Sequence, residues 1–248
     1  MKRAGLFLAA GIATYLLIFF ANFPASKALG YLQQRYPGLL VQSVSGSIFS
    51  GRVERIEVAG VTAGPVRWSF RPAALLGGQL EYLLDGRMLQ AALQGYAGIG
   101  ISGGRYARDI TAELTPAVLV ESYSPVAFTA TGNMTLHIES LQLDDGFPSQ
   151  LSGRIDWSDA GVSDPVTLDL GEVVLLLASE AGSISGEISN NGDTRVAGDI
   201  TVTASRGYRI DLLVTPGNVT SSEVVEFLQS WGQSGPPGSY RLVDSGQL

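Results

Sequence analysis

Three places in the sequence combine residue types that could carry out catalysis. His137 is the only histidine among the 248 residues, so it would have to serve as the base of any serine hydrolase. The segment Gly100-Ile101-Ser102-Gly103-Gly104 matches the G-x-S-x-G pattern that presents a nucleophilic serine. Asp156 and Asp159 flank Trp157 and could form the carboxylate pair that glycoside hydrolysis requires. The chemistry that these residues suggest is hydrolysis.

The sequence around these residues argues against each of these reactions. A serine elbow needs a helix after the serine, whereas the residues that follow Gly104 lead into an alternating strand. His137 stands between Leu136 and Ile138, which is typical of a solvent-facing residue in a strand. One histidine and no cysteine exclude metal sites built from a histidine cluster or from thiolates. We expect no enzyme activity and no cofactor, with a serine hydrolase at Ser102 as the competing hypothesis.

Charge and composition exclude further classes of function. The formal net charge is -7, and no dense basic patch interrupts the acidic balance, so binding to nucleic acid is not expected. The 31 glycines and 45% hydrophobic residues indicate a folded chain with many tight turns. The absence of cysteine excludes a disulfide framework but leaves the cellular compartment open.

The residues from Leu39 onward alternate between apolar and polar, which predicts strands. Val66, Trp68 and Phe70 share one face, and polar residues alternate with them. The same alternation recurs at residues 110–114, 151–157, 184–188, 200–204 and 208–214. Glycine-rich turn signals lie close together between these runs, and no long helix separates them. The sequence therefore predicts an all-β domain, mainly antiparallel, over residues 39–248.

One apolar run departs from this alternation. Residues 173–178 read Val-Val-Leu-Leu-Leu-Ala without interruption, which is too short to span a membrane as a helix. The run predicts a strand that is buried on both faces or lines a hydrophobic groove, so Val173, Leu175 and Leu177 join Trp68, Phe70 and Trp157 as candidate core or trough residues. An edge strand that recruits a partner by strand addition is the functional alternative.

The first residues predict where the domain resides. From Ala4 to Phe23 there is no charged side chain, and a helix of that length spans a bilayer core of about 30 Å. Lys2 and Arg3 precede the run, which favours a cytoplasmic N-terminus at residues 1–3 and an exported remainder. A cleaved signal peptide is the alternative, but small residues at the cleavage positions are hard to find. We expect a single-pass inner-membrane protein whose bulk is periplasmic.

Helical patterns are few and short beyond this span. Residues 24–38 predict a juxtamembrane helix and linker, since apolar residues recur at helical spacing before Pro37. Proline precedes small apolar clusters at Pro72 and Pro116, which predicts single helical turns. Thr220 begins a capping-box pattern, and the apolar stripe that follows predicts a short C-terminal helix capping an end of the sheet.

Several segments together resemble the type II secretion system protein N family (GspN). The resemblance lies in their order along nearly the whole chain, and the segments are 45–51 (SGSIFSG), 66–72 (VRWSFRP), 75–80 (LLGGQL), 151–157 (LSGRIDW) and 238–242 (GSYRL). It implies an accessory inner-membrane subunit of the machine that exports folded proteins from the periplasm across the outer membrane. The implied partners are other subunits of that machine, first its inner-membrane platform proteins and then its secretin.

The resemblance also bears on the shape of the sheet. The family is distantly similar to AsmA-like envelope proteins, whose sheets curl into an apolar trough. This likeness implies a curved, elongated sheet or trough, with an N-terminal transmembrane helix and a short C-terminal helix. The alternative function that it implies is lipid binding in the apolar trough.

Overall fold

The computed structural model describes residues 22–35, 38–58, 61–88, 91–117, 129–144, 146–163, 167–180, 182–217 and 222–247. The predicted cytoplasmic N-terminus and residues 4–21 of the predicted transmembrane helix lie outside these ranges. Within them, no helix combines the length and the apolar character needed to cross a bilayer.

The described residues confirm the all-β, antiparallel prediction. The chain divides into two compact units, Met1–Gln90 and Ala91–Leu248. In the first unit, consecutive strands pair antiparallel in chain order, and the strands are β1 Leu39–Gly46, β2 Ser50–Val58, β3 Val61–Phe70 and β4 Gln79–Met88. The helix predicted within residues 24–38 is present as α1, Ala25–Arg35, and the helical turn predicted at Pro72 is a 3₁₀ helix, Pro72–Gly77.

The described residues of the second unit form ten strands, which are β5 Ala91–Gly100, β6 Arg105–Leu114, β7 Thr129–Asp144, β8 Phe147–Ser163, β9 Leu168–Glu180, β10 Ser183–Asn190, β11 Arg195–Thr203, β12 Gly207–Thr215, β13 Gln233–Ser234 and β14 Tyr240–Gln247. Consecutive strands pair antiparallel from β5 to β12, and β12 then pairs with β14, which also pairs with the short strand β13. The predicted C-terminal helix is α2, Ser222–Trp231.

Bulges keep the apolar residues on one face where strict alternation would not. In β1, the half-buried residues Val41 and Val44 are separated by two exposed residues, and Ser43 has a φ of 54°. In β7, the buried Ile138 and the half-buried Leu141 are likewise three positions apart. An extra residue in a strand bends the strand and changes the face to which the following side chains point. The bulges therefore preserve the apolar face along long strands.

Two interpretations of residues 173–178 are wrong. The run lies in β9, which pairs with β8 on one side and β10 on the other, so it is not an edge strand available for strand addition. It is also not buried on both faces, because Leu176 is 47% exposed while Val173 is buried. The run is thus an internal strand with one face more buried than the other.

Candidate functional site

The second unit carries a continuous apolar face, defined here as the side of the sheet that holds Trp157, Val173, Leu175 and Leu177. The strand register places Trp157 opposite Val173 and Ile155 opposite Leu175, so these side chains point the same way. The same face continues through strands β10 to β14, where its residues are Ile188, Ile200, Ile210, Leu212, Val214 and Leu242. The structure thus brings four of the six predicted core or trough residues together.

One end of the apolar face is covered by helix α2. Val224 and Leu228 of the helix are buried against Val214 of β12. Phe227 and Tyr240 pack around this cluster as partly buried neighbours. The helix therefore caps an end of the sheet, as its apolar stripe predicted.

A second buried cluster lies on the same face. Ala160, Leu170 and Val173 are buried together, and Trp157 packs against them. The Trp157 indole N–H donates a hydrogen bond to the Thr131 carbonyl at 2.7 Å, which satisfies its polar group. Val173 and Trp157 are thus part of the core at this end.

The apolar face is only half-buried at the opposite end of the strands. Leu177, Ile184, Val202 and Ile210 all lie there, and each is partly accessible to solvent. Large aliphatic side chains in a closed core are ordinarily buried. This end of the face is therefore the part of the second unit that could accept an apolar ligand.

The first unit places Trp68 and Phe70 in a separate aromatic cluster. Both point to one face of β3, and the Trp68 indole N–H donates to the Ser47 carbonyl at 3.1 Å. Gly51 lies opposite Trp68, and its lack of a side chain leaves room for the indole. Phe70 packs edge-on against Phe49 at 5.1 Å between ring centroids. The segments SGSIFSG and VRWSFRP thus pack against each other, and their contacts hold the β1–β2 turn against β3.

Sequence reasoning missed an ion pair beside this aromatic cluster, in which Glu81 is buried and Arg71 is partly exposed. Glu81 is 1% exposed, and its Oε1 accepts a hydrogen bond from Arg71 Nη1 at 2.9 Å. The Glu81 carbonyl also accepts from the Arg71 backbone N–H at 2.9 Å. Nothing local in Leu80-Glu81-Tyr82 distinguishes this glutamate, because its partner lies ten positions away on another element.

The residues singled out for catalysis occupy separate positions in the second unit. Ser102 lies in the exposed turn between β5 and β6, and a strand rather than a helix follows it. His137 is exposed on β7, where its Nδ1 lies 3.3 Å from the Thr111 hydroxyl. Asp156 accepts a hydrogen bond from Arg154 Nε at 2.6 Å, and Asp159 occupies a bulge with a φ of 49°. The context that a serine elbow requires is absent at Ser102.

The face opposite the apolar face carries an ion pair between the neighbouring strands β12 and β14. Arg241 of β14 holds Asp211 of β12 with two hydrogen bonds, at 2.7 Å to Oδ1 and 2.6 Å to Oδ2. These bonds lower the pKa of the Asp211 carboxyl below its ordinary value, and Arg209 at 3.5 Å adds to the effect. The motif GSYRL thus contributes Arg241 to this face and Leu242 to the apolar face.

Arg241→Gln is expected to raise the pKa of Asp211 towards the ordinary carboxyl value. A lowered folded-state pKa contributes stability above the ordinary carboxyl pKa, and this contribution is lost as pH falls through the lowered value. The variant should therefore lack this contribution at neutral pH, and its free energy of unfolding should fall less than that of the parent protein as the pH drops through the lowered pKa of Asp211. A carbon-13 NMR titration of the carboxyl groups measures the pKa. Arg195→Gln removes the same charge from β11, and an equal shift in both variants would contradict the assignment to Arg241.

Comparison with known proteins identifies the family. The family model described as Type II secretion system (T2SS), protein N, matches residues 37–243. A type II secretion system protein N from Aeromonas hydrophila is 24% identical over 253 residues, covering 100% of both chains. A protein of the same name from Vibrio cholerae serotype O1 is 29% identical over 182 residues, covering 70% of each chain. No solved structure matches the chain. Because the match spans both sheet units, the chain belongs to the type II secretion system protein N family.

Proposed function

We propose that the chain is an accessory subunit of a type II secretion system, anchored in the inner membrane by residues 4–23 with its strands in the periplasm. The observation that carries the proposal is the family match over residues 37–243, which covers nearly all of the antiparallel strands. In this role the protein supports the export of folded proteins across the outer membrane. Its work is contact with other subunits, first the inner-membrane platform proteins and then the secretin, rather than chemistry.

Deletion of the gene tests this proposal in the organism that carries it. Secretion of the exported enzymes into the medium should fall, and the enzymes should accumulate in the periplasm. A copy of the gene supplied from a plasmid should restore secretion. Unchanged secretion in the deletion strain under every growth condition would refute the assignment to the secretion machine.

The orientation across the membrane has its own test. Protease added to intact spheroplasts should digest residues 39–248, since the charges at Lys2 and Arg3 favour a cytoplasmic N-terminus. A cytoplasmic marker protein must survive the same treatment. Complete resistance of the strands to protease, with digestion after lysis, would place them on the cytoplasmic side and overturn the proposed orientation.

A second candidate function is lipid binding on the apolar face of the second unit. The observation that favours it is the half-buried state of Leu177, Ile184, Val202 and Ile210 at the end away from α2. An acyl chain lying over these residues would remove apolar area from water, which contributes about 25 cal/mol per Å². The bound molecule would then replace the second layer that a sheet of this kind otherwise needs.

Leu177→Glu is expected to abolish the binding of phospholipid, because it puts a charge on the apolar face. Leu176→Glu is the matched control, since Leu176 is the neighbouring residue of the same strand and points to the opposite, exposed face. Lipid that copurifies with the full-length protein is extracted and quantified by mass spectrometry. Equal lipid content in the two folded variants would refute binding at this face.

A further inference from the structure

Three segments of the chain that lie outside the named strands meet at one end of the first unit. Because the strands are antiparallel, the last residue of β1, the first of β2, the last of β3 and the first of β4 all lie at the same end. We call it the anchor-proximal end, and it comprises residues 22–24, the β1–β2 turn and the β3–β4 connection. The Ile48 N–H donates a hydrogen bond to the Phe23 carbonyl at 3.0 Å, and Pro24 pairs with Ser47. The residue that ends the predicted membrane span is thus bonded directly to this end of the sheet.

The β3–β4 connection at this end exposes large apolar side chains. The 3₁₀ helix begins at Pro72, which fixes the backbone for a helical turn, and ends at Gly77, followed by the capping residue Gly78 in a left-handed conformation with a φ of 72°. Leu76 is 94% exposed and Leu75 is 54% exposed. Leu80, also exposed, follows as β4 begins, and residues 72–80 contain no charged side chain. Full burial of one leucine contributes about 1.5–3 kcal/mol, so covering these leucines would be favourable.

The charge at the anchor-proximal end differs from that of the chain as a whole. The chain has a net charge of -7, yet segments 22–27, 44–51 and 68–80 contain no aspartate or glutamate. They contain Lys27 and Arg71. The nearest acidic residue that follows, Glu81, is buried and paired with Arg71. No exposed carboxylate in these segments would repel an anionic lipid surface.

We propose that the 3₁₀ helix inserts Leu75 and Leu76 into the surface of the bilayer that residues 4–23 cross. The inference rests on the proposed anchoring, because Phe23 then leaves the membrane with no linker before the sheet. Neighbouring strands lie about 4.8 Å apart, so the β3–β4 connection lies only about 10–15 Å across the sheet from the β1–β2 turn. A bilayer surface at Phe23 therefore meets the exposed leucines, and Lys27 falls among the lipid headgroups.

The insertion gives the first unit a fixed orientation on the membrane. A single helix would leave the sheet free to tilt about its attachment at Phe23. A second contact through Leu75 and Leu76 adds apolar burial at a distance from that attachment. The strands of the first unit would then stand away from the membrane with the β1–β2 turn and the β3–β4 connection beneath them.

The absence of cysteine allows a direct test with single-cysteine variants of the full-length protein in phospholipid vesicles. A polarity-sensitive fluorophore is attached to Leu76→Cys, and lipids that carry a quencher on the acyl chain report its depth. Thr62→Cys is the matched control, since Thr62 is exposed near the other end of β3, about 26 Å from Phe70 along the strand. Ile18→Cys reports whether the predicted span lies in the bilayer.

The inference requires that the label at position 76 shows blue-shifted emission and about twofold quenching, while the label at position 62 does not change. Quenching at position 18 with equal, unquenched signals at positions 76 and 62 would overturn the membrane contact while leaving the anchoring intact. A protein partner would then be the group that covers Leu76. No quenching at position 18 would overturn the anchoring itself, and with it the contact.

Discussion

Leu228→Ala is expected to lower the free energy of unfolding by about 3 kcal/mol, within the range of about 2–5 kcal/mol that buried leucine truncations cost. Leu228 is 2% exposed in helix α2 and packs against Val214 of the sheet. Removing the isopropyl end of its side chain leaves a cavity between helix and sheet, because Val224 and Val214 are fixed by their own backbone elements. Urea denaturation of the detergent-solubilised protein, followed by circular dichroism, measures the loss.

Glu226→Ala is the control for this substitution. Glu226 is exposed on the same helix, so its truncation removes no buried contact and should change the unfolding free energy by less than about 0.5 kcal/mol. Equal effects of the two substitutions would mean that α2 does not pack on the sheet as described. The comparison therefore tests whether the helix is the cover of the apolar face at this end.

The faces of the strands could be predicted from the sequence wherever alternation is regular. In β3, Val66, Trp68 and Phe70 are half-buried, while Arg67 and Ser69 are exposed, as their spacing predicted. The bulges could not be predicted, because Ser43, Asp109 and Asp159 adopt positive φ without being glycine. Such a conformation costs about 1–2 kcal/mol per residue and is imposed by pairing with neighbouring strands, which a single segment does not reveal.

More of the apolar face of the second unit than of the exposed 3₁₀ helix could be predicted from the sequence. Val173, Leu175 and Leu177 could be assigned to one face because a strand alternates with period two, even in a run without polar residues. The exposed 3₁₀ helix could be predicted as a helical turn but not as an exposed one. Local propensity predicts the turn at Pro72, whereas the exposed fraction of a side chain is set by the tertiary arrangement, in which Leu76 is 94% exposed.

Trp157 shows why a bulge matters for the apolar face. Its indole N–H reaches the Thr131 carbonyl, which lies directly before the register shift in β7. The shift is made by Gly132, whose φ is 100°. The position of the Trp157 ring over the buried cluster at Ala160 and Val173 thus depends on the backbone at Gly132.

Gly132→Ala is expected to lower the free energy of unfolding by about 2–4 kcal/mol, as a sum of left-handed strain and overpacking. A Cβ at this position would lie 2.5 Å from the Asp159 carbonyl oxygen and would also overlap the Ser158 carbonyl oxygen. Both are backbone atoms of β8, so neither can rotate away as a side chain would. The same displacement should break the Trp157 hydrogen bond, which the indole proton resonance in an NMR spectrum reports.

Gly146→Ala is the control that separates left-handed strain from overpacking as causes of the loss in unfolding free energy. Gly146 also has a positive φ, 85°, but a Cβ there would meet no atom within 4 Å. It should therefore cost only the left-handed strain, about 1 kcal/mol, and leave the Trp157 resonance unchanged. Equal losses in the two variants would mean that strain alone accounts for the effect and that β7 and β8 do not approach closely at the bulge. A larger loss at Gly132 would show that the close approach of the two backbones requires glycine, because any side chain would force apart the strands that carry Trp157.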